Sequence, residues 1–256
     1  MRTRSILITA TVLLGLLPVP AHAAEGADTH GVMSVRHLPN GETEYVLYSP
    51  APGVSEQELF EHLQKKGVPG LVSPRQSEGV GVMAGNCRYG TAYALEEGTC
   101  PAAAWLKSGR TRPLVHFNDH SSWRWRVATG AAKWHRSPKI DVQSAWNSCP
   151  WQTTGIHCVD VQSYDFGNTS SGGFTGWRLD GLRYFIEGSV YVRFNDRISA
   201  GTNVYDMIVC HEFGHAIGMG HSTDFYRSCM FPDYKLGLTE PSADDYNLLY
   251  YVSYPG

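Results

Sequence analysis

Residues 211–221 read H-E-F-G-H-A-I-G-M-G-H, a run that sets three imidazoles and one carboxylate at the spacing of a zinc site. His211 and His215 stand four residues apart, so on a helix they project from one face, about 6 Å apart along the axis, and can share one ion. Glu212 lies on the same turn, where its carboxylate can reach a metal-held water without being a ligand. Gly218, lacking a Cβ, can take the left-handed conformation that ends a helix, and His221 can then swing round to the same ion. Three neutral histidines leave the fourth corner of a tetrahedron to water, the open coordination of a catalytic rather than a structural zinc. An H-E-x-x-H alone also occurs in helices that bind nothing; the full run adds a helix-breaking glycine and a third ligand. The chemistry this predicts is hydrolysis of an amide by a zinc-bound water. Glu212 is its general base and later its proton donor, and the metal polarises the scissile carbonyl.

Ser222 follows the third histidine directly, and Ser228-Cys229-Met230-Phe231-Pro232 and Pro232-Asp233-Tyr234 come shortly after. On these residues the chain resembles the metzincin metallopeptidases, which carry a methionine turn under the zinc. The serine after the third histidine and the Pro-x-Tyr segment are similar to the matrixin branch. The astacin and serralysin branches place a tyrosine two residues after the methionine, where this chain has Pro232. The resemblance is specific over about residues 211–234 and looser over about 110–256. It implies an α/β (α+β) zincin-like catalytic domain with a twisted mixed sheet, an active-site helix, a Met-turn and a C-terminal helix. It implies one catalytic Zn²⁺ above Met230, a peptide or protein substrate laid along an edge strand, and a pocket walled by Pro232 and Tyr234. It also implies that one acidic residue, for which Asp245 is the better candidate as the capping-box position, sits beneath the methionine turn while its neighbour Asp244 can pair with the ammonium of a processed N-terminus; the plainer role of both is favourable charge at a helix N-terminus. The matrixins' second, structural zinc site and their propeptide motif with a free cysteine have no counterpart here.

The chain has 256 residues, with 21 Lys and Arg against 24 Asp and Glu. Residues 1–23 read as a signal peptide: Arg2 and Arg4, an apolar run over 6–17, and Ala21-His22-Ala23 as a small-residue cleavage site. That run is too short to span a bilayer, and no second candidate span follows. A mildly acidic chain without basic clusters offers no electrostatic footprint for nucleic acid or an anionic membrane. The expectation is a secreted, extracellular monomer. All six cysteines lie beyond residue 23, and an even number in an exported chain implies disulfides. Six cysteines allow fifteen pairings. The sequential set, Cys87–Cys100, Cys149–Cys158 and Cys210–Cys229, is preferred because each closes a short loop. The third would staple the zinc helix to the methionine turn. The alternative, Cys87 as a free thiolate on the metal of a latent precursor, would leave an odd thiol elsewhere.

The segments that must position these residues fall into two parts, an N-terminal region over 24–108 and a catalytic domain over 109–256. In the first, alternating residues around Asn40-Gly41 predict a hairpin over 35–48. Ser55 and Glu58 form a capping pair for a helix over 55–65. Residues 67–86 read as a linker or long loop, and the region is either a removable pro-segment or a permanent subdomain. In the second, strands are expected at 113–117, 139–142, 158–161 and 189–195. A helix over 123–134 is expected with Trp123, Val127, Ala131 and Trp134 as its stripe. The zinc helix should run over 204–217, capped by Thr202 or Asn203, with Asp206 serving the dipole. Ser242 and Asp245 cap a last helix.

Other residues carry weaker signals. His116, His120, His135 and His157 could ligate a second metal but have no ligand-like spacing. Trp123, Trp125, Trp134, Trp146 and Trp151 read as core packing rather than a sugar-binding face. Asp160, Asp165, Asp180 and Asn195 offer oxygens for Ca²⁺, a family-level option, though no loop motif groups them. Asn168-Thr169-Ser170 has the form of a glycosylation acceptor. Two functions from different classes result: a secreted zinc endopeptidase, and a secreted zinc-containing protein that holds a partner without cutting it.

Overall fold

The computed structural model describes residues 31–74, 87–95, 103–150, 153–180 and 183–255. The leader expected over 1–23 and the linker residues 75–86 lie outside these, as do Cys100 and Trp151. A seven-stranded mixed sheet forms the frame, in the order β1-β2-β8-β9-β7-β5-β6. Its strands are β1 (Val32–His37), β2 (Thr43–Pro50), β5 (Leu114–His120), β6 (Asp141–Trp146), β7 (Ile156–Tyr164), β8 (Ser171–Leu179) and β9 (Tyr191–Asn195). β9, β7, β5 and β6 are parallel neighbours, while β1, β2 and β8 join antiparallel. A smaller antiparallel sheet holds β3 (Arg88–Tyr89), β4 (Ala92–Ala94) and β10 (Met219–Ser222) in the order β10-β4-β3.

Among the described residues the α-helices are α1 (Glu56–Lys65), α2 (Val127–Trp134), α3 (Thr202–Ala216) and α4 (Ala243–Leu248). α2 and α3 pack on each other and on the sheet. The Phe117 ring of β5 stacks on Phe213 of α3 at 3.6 Å between centroids. Trp134 of α2 donates its indole N–H to the Cys210 carbonyl of α3 at 2.8 Å, so the large aromatic buries its body and satisfies its polar handle together. α1 and α4 each begin at a capping box, Ser55 with Glu58 and Ser242 with Asp245. Each box satisfies two backbone donors that a helix start would otherwise strand.

The structure departs from several sequence expectations. The helix expected from residue 123 begins at Val127, and Trp123 is 91% exposed. Tertiary contacts hold the preceding turn open: Trp125 donates its indole N–H to Asp196, and Arg126 pairs with Asp206. Asp206 thus serves that ion pair rather than a dipole. Gly201 occupies the N-cap of α3, in place of Thr202 or Asn203, so no side chain caps this helix. Trp125 and Trp134 enter the core, joined by Trp105 and Trp177, whereas Trp146 is 66% exposed. β8 was not anticipated; its Gly172, Gly173 and Gly176 are residues that weaken a strand pattern. They are strand residues here, and Gly173 is small for a reason: a Cβ there would press on the Arg193 carbonyl at 3.0 Å and on the Glu212 side chain at 3.4 Å.

The boundary expected between residues 108 and 109 runs through both sheets. β2 pairs with β8 from Thr43↔Leu179 to Pro50↔Ser171, and β4 pairs with β10. Among the described residues, no helix is long and apolar enough to cross a membrane.

Candidate active site

α3 buries His211, Glu212 and His215 completely. The two imidazoles lie on one helical face, their centroids 4.6 Å apart. The chain turns at Gly218, whose φ is +98°, a conformation open to glycine; a Cβ would also overlap the Ala103 carbonyl oxygen. It then returns as β10, which carries His221. That ring stands 5.0 Å from each of the other two. The ligand atoms of the three histidines all lie within 4.8 Å of one another, the one such group of three among the described residues.

Hydrogen bonds fix the ring orientations. His211 Nδ1 donates to the Cys229 carbonyl at 2.9 Å, and His215 Nδ1 to the Met219 carbonyl at 2.8 Å. Each bond leaves Nε2 as the unprotonated nitrogen. Both Nε2 atoms are buried with no hydrogen-bond partner in the protein, an arrangement that costs free energy unless something else occupies the lone pairs. Burial pushes the His215 pKa down to about 4 and that of His211 well below its usual value. Two neutral imidazoles with orphaned nitrogens converging beside a third fit a divalent metal of the zinc type.

Glu212 is held from the sheet and from the segment after the methionine. Thr175 of β8 donates its hydroxyl to Oε2 at 2.6 Å, and Tyr234 donates its hydroxyl to Oε1 at 3.1 Å. The Ser49 hydroxyl, buried on β2, approaches the same carboxylate without meeting hydrogen-bond geometry. Burial is the largest influence and raises the Glu212 pKa to about 7, against the lowering effect of these neighbours. A carboxylate poised there exchanges protons readily near neutral pH.

Beneath the histidines lies a short chain of hydrogen bonds. Met230 is fully buried, its sulfur against Gly214 of α3. Its amide donates to Ser228 Oγ at 2.9 Å, and that hydroxyl donates to Asp245 Oδ2 at 2.7 Å. Asp245 also accepts the Ser242 amide at 2.6 Å. One carboxylate therefore serves both the helix cap and the turn under the site. Asp244 accepts from the amide and hydroxyl of Thr91, both at 2.9 Å, so β4's turn stands where the resemblance placed a processed N-terminal ammonium.

Cys210 is bonded to Cys229, joining α3 to the methionine turn, and Cys149 is bonded to Cys158. Cys87 is also disulfide-bonded, so the alternative of a free Cys87 thiolate is excluded. The expected pairing of Cys87 with Cys100 falls outside the described residues. Replacing both Cys210 and Cys229 with Ala is expected to lower stability by about 2 to 4 kcal/mol, read from urea unfolding at equal zinc loading. An unchanged midpoint would show that the bond does not steady the site.

Asp245 gives a second measurable consequence. Asp245→Ala leaves a hydroxyl and an amide unpaired in the interior and should cost about 1 to 3 kcal/mol. Burial raises the Asp245 pKa to about 6, above its unfolded value. The folded state then binds the proton more tightly, so the carboxyl's contribution declines as pH rises from about 4 through about 6. The wild type should lose stability over that window relative to Asp245→Ala. Parallel curves would refute the assignment.

Other candidates are engaged elsewhere. Asp160 pairs with Arg193, Asp165 with Arg197, and Asn195 donates to the Asn168 and Ser171 carbonyls. Asp180 accepts the Tyr184 amide. His157 bonds the Leu106 carbonyl and Glu187, and His135 accepts the Val142 amide. His120 contacts Asn118, and burial lowers the pKa of His116. Pro232 and Tyr234 line a groove of about 430 Å³ together with Pro50, Ala51 and Val54. Thr175, Ser49 and Thr91 were not anticipated. Each acts across a tertiary contact that no local motif encodes.

The matrixin family profile matches residues 88–250. No curated protein matches the chain.

Proposed function

Because the chain belongs to the matrixin family of zinc metalloendopeptidases, we propose that it cuts peptide bonds at the site formed by His211, Glu212, His215 and His221. The observation that carries this is the convergence of three buried imidazoles, two with unpartnered Nε2 atoms, beside a carboxylate whose pKa is near 7. His211, His215 and His221 would hold the zinc. When bound, that ion supplies a Lewis acid for the scissile carbonyl and makes a held water more acidic.

The chain's own groups perform the rest. Glu212 takes a proton from the attacking water and delivers it to the leaving amine, so one carboxyl works as base and then as acid. Thr175 and Tyr234 aim its two oxygens. Met230 packs under the helix that carries the first two ligands, and Pro232 and Tyr234 wall the pocket for the side chain after the cut.

This reading includes secretion after removal of residues 1–23, action as a monomer, and a catalytic unit containing residues 109–256. The family match and the pairing of β4 with β10 support counting residues from about 88 with that unit. The test is hydrolysis of an unfolded protein by the purified zinc-loaded chain. Cleavage should stop with a chelator and return with zinc. A chain that leaves the protein intact, even after its N-terminal segment is released, would be a zinc-containing binding protein instead.

A further inference from the structure

An α-helix leaves its last carbonyls without intrahelical partners, and in an interior these must be met by other groups. Along the turn that leaves α3, the Gly214 and His215 carbonyls accept the Ile217 and Gly218 amides at 3.1 and 3.0 Å. The next three carbonyls are met from outside the helix. Trp105 donates its indole N–H to the Ala216 carbonyl at 2.9 Å, and Tyr254 donates its hydroxyl to that of Ile217 at 2.9 Å. The Leu95 amide donates to the Gly218 carbonyl at 2.8 Å.

These donors come from parts of the chain far apart in sequence, yet they hold one another. The Trp105 amide donates to the Tyr254 hydroxyl at 3.2 Å, so that oxygen accepts from one arm of the clamp while it donates to the helix end. Ala103 donates its amide to the Leu95 carbonyl at 2.8 Å, and its own carbonyl lies where a Cβ on Gly218 would fall. Trp105 and Tyr254 are 1% and 3% exposed. The Trp105 arm is anchored to the segment before β9, because the Phe185 amide donates to the Ala104 carbonyl at 3.0 Å and the Phe185 ring lies 4.9 Å from the indole.

The clamped link, 216–218, joins His215 at the end of α3 to β10, which carries His221. The helical repeat sets the spacing of His211 and His215. The place of His221 is set by the path of the chain through that link and by the pairing of β10 with β4. We propose that Trp105 and Tyr254 are positioning residues of the metal centre, fixing the exit of α3 so that His221 meets the ion held by His211 and His215. This rests on the zinc assignment above. Trp105 precedes the boundary expected at residue 109, so the unit that holds the metal includes it.

Two conservative variants of the full chain test this, each removing one hydrogen-bonding group and keeping an aromatic ring. Trp105→Phe removes the donor to Ala216, and Tyr254→Phe removes the hydroxyl shared by Ile217 and Trp105. The control is Trp125→Phe, which takes an indole N–H from an equally interior tryptophan. That one donates to Asp196 at 2.8 Å and packs on Tyr205 at the other end of α3. Zinc affinity is read by competition with a chromogenic chelator under conditions where each chain is folded. Ligand geometry is read from the visible spectrum of the cobalt(II)-loaded chain.

The zinc dissociation constant should rise about tenfold in Trp105→Phe and in Tyr254→Phe, the scale on which lost support of a metal ligand is felt. The cobalt bands should shift with it, and Trp125→Phe should match the wild type in both. Because the two residues share a hydrogen bond, the double variant should weaken binding by less than the product of the single effects. Zinc held as tightly by Trp105→Phe and Tyr254→Phe as by the wild type would overturn the proposal and leave the clamp a packing contact, and so would an equal loss in Trp125→Phe. If Trp105→Phe does not fold, Tyr254→Phe decides alone. A wild-type chain that holds no zinc would overturn the metal assignment and the proposal together, whereas hydrolysis enters neither readout.

Discussion

Glu212→Gln is expected to keep its zinc and to lose hydrolytic activity by about 10²- to 10⁴-fold, the range for removing a general acid–base group. The substitution preserves size and burial, and the amide can still meet the Thr175 and Tyr234 hydroxyls that now bond the two carboxylate oxygens. What it removes is the proton acceptor. The comparison should use the zinc-loaded wild-type chain as its parent. Equal zinc content with activity near the parent's would show that Glu212 does no proton transfer, and the site would then be read as one that holds rather than cuts.

His215→Ala should release the metal altogether. Its ring is fully buried and oriented by the Met219 carbonyl. Losing an outer hydrogen-bond partner of a metal ligand typically costs about 10- to 100-fold in affinity, and losing the ligand itself should exceed that. Among the described residues there is no second group of three to take over. Elemental analysis after dialysis should find zinc near stoichiometry in the parent and near zero in the variant. His157→Ala is the control, because that histidine is equally interior but bonded to Leu106 and Glu187. Zinc retained by His215→Ala, or lost equally by His157→Ala, would refute the ligand assignment.

The legible parts of the site share one property, in that their partners are near in sequence. His211 and His215 fall on one face because of the helical repeat, and the capping boxes at Ser55 and Ser242 span three residues. Alternation placed β5, β7 and β9 within a few residues of where they run. Where local pattern and tertiary contact compete, the contact prevails. Trp123 fits a helical stripe, yet the bonds of Trp125 and Arg126 to Asp196 and Asp206 start α2 later and leave Trp123 in solvent.

By itself the sequence brought the candidate chemistry together: three histidines, a glutamate and a helix-ending glycine lie within eleven residues, and the geometry of one helix and one turn suffices to join them. Only the tertiary structure decided what surrounds that chemistry. Thr175 and Tyr234 aim Glu212 from separate elements. Thr91 meets Asp244 across 153 residues. β2 covers the β8 edge through backbone pairing. The physical reason is that a backbone N–H or C=O is the same in nearly every residue, so a strand's sequence shows that it can pair and not with which edge. That choice is made when the apolar faces of the whole chain are buried together.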